Sequence, residues 1–193
     1  GPAPWSAAGE LEGKLSLNEA FLAFVFAGAG LPLRVAPARV ALWLADKGDL
    51  DAVRTNVEAN GGNFSEELSE YNLSTRLADA ILAVDKGFAV TGADVRKSLR
   101  SQFPPEAGPL STAETMSILR KVLEFVGGGA MPATLIVLDE VQQYINGDGG
   151  RALEVQSLAK AVSSELDGRV LLVATGQQEL TADATLQKIQ DRF

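Results

Sequence analysis

Two neighbouring acids, Asp139 and Glu140, follow directly on the apolar run Thr134 to Leu138. An aspartate at the end of a strand can hold Mg²⁺, directly or through water, and an adjacent glutamate can polarise an attacking water. The run has no polar alternation and is rich in β-branched residues. It therefore reads as a strand buried on both faces, in the middle of a parallel sheet. In open α/β sheets ligands gather beyond the carboxyl ends of the strands, where these acids fall. The same residues admit a plainer reading, in which an acid caps the helix that follows and answers its dipole.

A second strand bears on the choice. Val170 to Ala174 is another apolar run, and it ends in Thr175, Gly176 and Gln177. Between the two runs, Leu153, Val155, Leu158, Ala159, Val162 and Leu166 largely share one helical face, and Asp167-Gly168 ends the pattern. Strand, helix, strand over this distance is a βαβ crossover, expected to be right-handed with parallel strands. The polar ends of both strands then lie side by side. A hydroxyl and an amide beside an Asp-Glu pair suit a position that senses the γ-phosphate or the attacking water. In this reading Asp139 is the metal-binding acid, Glu140 the water-activating one, and Thr175 or Gln177 the sensor.

The bounds of the chain narrow the chemistry further. It has 193 residues, no cysteine and no histidine, with a formal net charge of −8. Thiol chemistry, imidazole bases, the usual zinc ligands and a Ser-His-Asp triad are all excluded. Absence of cysteine fits a reducing compartment, and the start lacks the features of a signal peptide, so a cytoplasmic location is expected. Gly1-Pro-Ala-Pro reads as a boundary or protease scar. The longest uncharged run, Ala20 to Leu33, is too short for a bilayer, so no membrane role is expected. The acidic balance makes the surface as a whole unlike a nucleic-acid platform and leaves room only for a local basic patch.

From Ser16 to about Phe103 the pattern is almost all helix. Ser16-x-x-Glu19, Thr91-x-x-Asp94 and Ser111-x-x-Glu114 are capping boxes. Pro37 stands in the first turn of a helix that Lys47-Gly48 ends. Asp49 is placed to cap the next helix, which runs to Asn60-Gly61-Gly62. Another helix begins near Ser65, and a further one spans Ser74 to Lys86. Phe21, Phe24, Phe26, Trp43 and Leu44 read as core. The prolines Pro104, Pro105 and Pro109 mark the clearest joint. The expected organisation is thus a helical part over 1–103 and a partial α/β core over 104–193. The fold class is α/β, mainly helical at first, with an incomplete parallel sheet of the P-loop-NTPase type.

One stretch, Ala8-Gly-Glu-Leu-Glu-Gly-Lys-Leu-Ser16, imitates a phosphate-binding loop through Gly13-Lys14. It fails in four respects. Ala8 replaces the first glycine, Leu15 follows the lysine, no apolar strand precedes it, and Glu10 and Glu12 would repel phosphate. On this reading no Walker A element is present.

Taken together, Leu135-Ile-Val-Leu-Asp-Glu-Val-Gln-Gln-Tyr-Ile145, Leu171-Leu-Val-Ala-Thr-Gly-Gln-Gln178 and Leu186-Gln-Lys-Ile-Gln-Asp-Arg-Phe193 resemble the large AAA-like P-loop ATPases of bacterial phage-defence systems. These are the BrxC/PglY-type proteins of BREX and phage-growth-limitation loci. The resemblance covers about residues 133–193, with a helical insertion ahead of Walker B. It implies a fragment of an ATP-hydrolysing protein that uses ATP and Mg²⁺. Asp139 would be the Walker B magnesium ligand, Glu140 the residue orienting water, and Thr175 or Gln177 the sensor. It also implies assembly into a homo-oligomer, with Arg192 as an arginine finger, and work with other phage-defence proteins, and it leaves contact with DNA open. The missing Walker A departs from the family pattern. The alternative is a non-enzymatic helical interaction module whose acids are structural, and Arg192 would then be a surface arginine.

Overall fold

A computed structural model describes residues 1–11, 14–106 and 108–176 of the chain. Their elements run β1 (Trp5–Glu10), α1 (Leu17–Gly28), α2 (Val35–Lys47), α3 (Leu50–Ala59), α4 (Phe64–Ser69), α5 (Thr75–Val84) and α6 (Gly92–Gln102). Then follow α7 (Thr112–Val126), β2 (Thr134–Asp139), α8 (Val141–Ile145), α9 (Gly149–Glu165) and β3 (Val170–Ala174). The fold class is α/β, with three parallel strands in the order β1-β2-β3.

Helix starts follow local chemistry closely. In each of the three capping boxes the hydroxyl accepts from the backbone N–H three residues on, and the acid there accepts from the capping residue's own N–H. Asn63 Oδ1 accepts from the N–H groups of Ser65 and Glu66, so α4 begins at Phe64, near Ser65 as expected. Gly48 ends α2 in the left-handed conformation, φ 78°, which costs glycine nothing. Asp49 departs from expectation. Its side chain makes no capping bond, and its carboxylate lies 3.7 Å from Lys47 Nζ.

The chain forms two compact units. One joins Gly1–Gly30 to the residues from Pro109 onward, and the other is Leu31–Gly108. This differs from the expected division at 103, because the first thirty residues belong with the sheet. The cause is β1. Trp-Ser-Ala-Ala-Gly-Glu carries little of the β-branched or aromatic character that marks strands, yet it pairs in parallel with β2 from Trp5↔Thr134 to Glu10↔Asp139. Its small residues serve close approach to α1. A Cβ on Gly9 would lie 2.6 Å from Phe24 Cβ, and one on Gly28 would lie 3.2 Å from the Trp5 ring.

The sheet is not buried on both faces among the described residues. Along β2, Thr134, Ile136 and Leu138 are buried, whereas Leu135 is 38 % exposed and its register partner Leu171 on β3 is 63 % exposed. Topology explains this. Both connections step across the sheet in the same direction, so right-handed crossovers bring their helices to one face. There α1, α7 and α9 pack against one another, α1 on β1 and α9 on β3. Phe21, Leu22, Val25, Leu119, Leu123, Val155 and Leu158 supply that core, each no more than 1 % exposed.

The Leu31–Gly108 unit packs α2 to α6 around Val53, Val57, Leu77, Val95 and Leu99, all fully buried. The Tyr71 hydroxyl donates to the Phe103 carbonyl, and burial pushes the Tyr71 phenol up from its usual range. Lys47 Nζ lies 2.5 Å from Asp85 and within 5.2 Å of the Trp43 and Phe88 ring centres. It thereby pins the turn after α5 to α2.

Candidate functional site

The carboxyl ends of β2 and β3 meet as the two apolar runs require. Leu138 is the register partner of Ala174, so Asp139 and Thr175 come next, side by side. The Thr175 N–H donates to the Leu138 carbonyl at 2.9 Å, and the Val141 N–H donates to the Thr175 carbonyl at 3.2 Å. The sheet pairing thus continues past the strand ends and holds this edge together. The Thr175 hydroxyl donates to Asp139 Oδ1, and the Glu140 N–H donates to the same oxygen at 3.0 Å. Asp139 Oδ2 makes no hydrogen bond to a described residue. Both Asp139 and Thr175 are exposed.

Glu140 has left-handed backbone, φ 51° and ψ 42°, which costs a side-chain-bearing residue about 1–2 kcal/mol. Such strain persists where its surroundings over-determine it, and it clusters at functional sites. Here the chain must stop being a strand and begin α8 within one residue. The half-buried Glu140 carboxylate accepts from the Gln143 side-chain amide, and the Gln143 N–H donates to the Glu140 carbonyl at 2.8 Å. Helix α8 is held by buried Val141, Tyr144 and Ile145. The Tyr144 hydroxyl donates to Glu154 at 3.2 Å, and Arg151 Nη1 donates to the Tyr144 carbonyl at 2.8 Å. Burial raises the Tyr144 phenol above its usual range. The short helix also brings the Gln142 amide against Gly176, where an added Cβ would lie 2.2 Å from Gln142 Oε1.

The capping reading does not describe this edge. The residue at the N-cap of α8 is Glu140, and it makes no side-chain capping bond. Of the expected site residues, Asp139, Glu140 and Thr175 come together, while Gln177 and Arg192 lie outside the described residues. Gln142 and Gln143 joined the site unannounced. The available signal was the Glu140-x-x-Gln143 spacing, which places two side chains on adjacent turns.

The donor set suits magnesium in one form only. No group of three or more acids able to hold a metal ion occurs among the described residues. One exposed carboxylate with a neighbouring hydroxyl matches the sparse protein contribution to a Mg²⁺ that keeps waters and phosphate oxygens as its other ligands. Asp139 would hold the ion, directly or through water, and Thr175 fixes the rotamer of its carboxylate.

A phosphate-binding loop is not found in the described residues. A strand does precede Gly13-Lys14, since β1 ends at Glu10, so one objection to a phosphate loop there falls. The remaining three stand, and a further one joins them. The first-turn N–H groups that would greet a phosphate are met at α1 by Ser16, with the Glu19 carboxylate folded back over the cap. Gly13 itself lies outside the described residues. Two grooves, of about 520 and 360 Å³, are lined by other residues.

The chain matches no family model, no curated protein and no solved structure. No helix of the described residues is long and apolar enough to cross a membrane.

Proposed function

We propose that these residues supply the magnesium-binding acid, the water-orienting acid and the sensor of an ATP-hydrolysing AAA-like ATPase of a bacterial phage-defence system. The observation that carries this is the hydrogen bond from Thr175 to Asp139 at the paired carboxyl ends of two parallel strands. It links a metal-binding carboxylate to a hydroxyl one strand away, so a change at either is felt by the other. The half-buried Glu140, held by Gln143, stands beside them as the base-like group that aligns water for attack. Bound Mg²⁺ would neutralise charge on the transferred phosphoryl oxygens. The phosphate-binding loop is supplied by protein outside these residues. In the assembled enzyme Arg192 reaches the nucleotide of a neighbouring copy.

The test is Glu140→Gln in the ATPase that contains this chain. Loss of a positioned general base lowers hydrolysis by about 10²–10⁴-fold while ATP is still bound. Unchanged hydrolysis would sink the proposal.

A second reading is a non-enzymatic interaction module, favoured by the compact helical unit Leu31–Gly108 and by the blocked first turn of α1. Under it Asp139→Ala alters stability or partner binding and leaves the parent's ATPase rate intact.

A further inference from the structure

Within the unit Leu31–Gly108, arginines fall into two groups. Arg34, Arg54 and Arg76 each pair with a carboxylate, as does Lys47. Arg39, Arg96 and Arg100 make no ion pair with a described residue, and neither does Lys97. Lys86, after α5, is also without an ion pair to a described residue, but the other four are not scattered. Arg96, Lys97 and Arg100 lie on α6 at spacings that share one side of the helix. Arg39 joins them at its end, its guanidinium 5.7 Å from the ring centre of Phe103, the residue that caps α6. No acid occurs between Asp94 and Glu106. The helix dipole accounts only for Arg100, the one base in the last turn.

We propose that this side of α6 with Arg39 is a contact surface for the phosphodiester backbone of a nucleic acid. From Arg96 to Phe103 the helix rises about 10 Å, and DNA presents a phosphate every ~3.4 Å of axis along one strand, so the strip spans about three phosphates. Its exposed neighbour Ser101 is a further hydrogen-bond donor of the kind that grips phosphate oxygens. No large apolar side chain on α6 is exposed. The strip therefore lacks the apolar anchors on which a protein partner's affinity rests. Arg39 and the α6 cations bind backbone and carry no base readout, so recognition is independent of sequence.

The experiment is fluorescence anisotropy of a labelled mixed-sequence DNA duplex with the whole chain, titrated across salt concentrations. Neutralising about three phosphates gives a slope of log K against log salt of about −3. The variant Lys97→Glu with Arg100→Glu should lower that slope by about two and weaken binding at low salt by at least about tenfold. Arg54→Glu, a charge reversal on α3, should have a much smaller effect, and thermal melts confirm that all variants fold. No binding of duplex or single-stranded nucleic acid at low salt overturns the proposal. So does an equal loss from Arg54→Glu, which would indicate net charge alone. Binding of polyglutamate as tight as that of DNA and equally dependent on Lys97 and Arg100 also overturns it, pointing to an acidic protein.

Discussion

The hydroxyl of Thr175 donates its hydrogen bond to Asp139 across the carboxyl ends of neighbouring parallel strands, while the N–H of Glu140 binds the same oxygen. One oxygen of the carboxylate is thus committed to the protein, and the other makes no hydrogen bond to a described residue. Thr175→Val keeps the shape and removes the donor. Because both residues are exposed, stability should fall by about 1 kcal/mol or less in urea unfolding. On the proposed function, ATP hydrolysis by the protein that contains this chain should fall more. An aspartate freed from its rotamer that costs the transition state about 1.4 kcal/mol gives a tenfold lower rate. Equal, small effects on both measurements would make Thr175 a structural partner only.

Glu140 carries the backbone strain of the edge. Glu140→Gly removes the side chain and also removes the left-handed penalty, which is about 1–2 kcal/mol. The glycine variant should be at least as stable as the native chain in urea unfolding, whereas Glu140→Gln, which keeps the Cβ, should not gain. Destabilisation by glycine would show that the Gln143–Glu140 hydrogen bond outweighs the strain.

Burial along β2 alternates, and the two sides should respond differently to truncation. Leu138 is fully buried, so Leu138→Ala should cost about 2–5 kcal/mol. Leu135 faces the open side at 38 % exposure, and Leu135→Ala should cost about 1 kcal/mol or less. Chemical denaturation of the two variants checks this directly. Equal costs would mean that the open side is covered in solution.

Acid should loosen the helical unit through two carboxylates. The Ser74 hydroxyl and then Arg76 hold Glu67 below its usual range against the opposing effect of burial, and Lys47 holds Asp85 down in the same way. A carboxyl group whose folded pKa is depressed contributes stability that is present above its unfolded pKa and is lost as pH falls through the folded value. Stability should therefore decline as pH drops below the ordinary carboxylate range of about 4. Glu67→Gln should flatten that decline while lowering the plateau at neutral pH. Denaturant midpoints measured from neutral pH downward would show it.

Much of this was written locally. The capping boxes fixed where α1, α6 and α7 begin, because a hydroxyl and an acid three residues apart satisfy the same two backbone donors wherever they occur. The apolar runs of β2 and β3 announced themselves, and with them the neighbourhood of Asp139 and Thr175. What escaped was set by partners distant in sequence. On β1 Gly9 has no room for a Cβ because Phe24 of α1 crowds it, on α1 Gly28 has little because Trp5 and Ala7 of β1 crowd it, and only the fold shows that crowding. Asp49 sits where a cap would, but its backbone is already helical, φ −95° and ψ −11°, and not the extended form in which a capping side chain reaches the first turn. The single exposed side of β2 follows from the direction of two crossovers, which no window of sequence contains.

The register Trp5↔Thr134 carries a consequence for how the chain folds. The whole helical unit lies between these two partners, so β1 closes a very long loop when it pairs. Helices with self-contained starts form early, and a unit already condensed shortens the effective loop that remains. The β1–β2 ladder should then be the last part of the sheet to assemble. A destabilised helical core such as Leu99→Ala would slow sheet formation without touching a single strand residue.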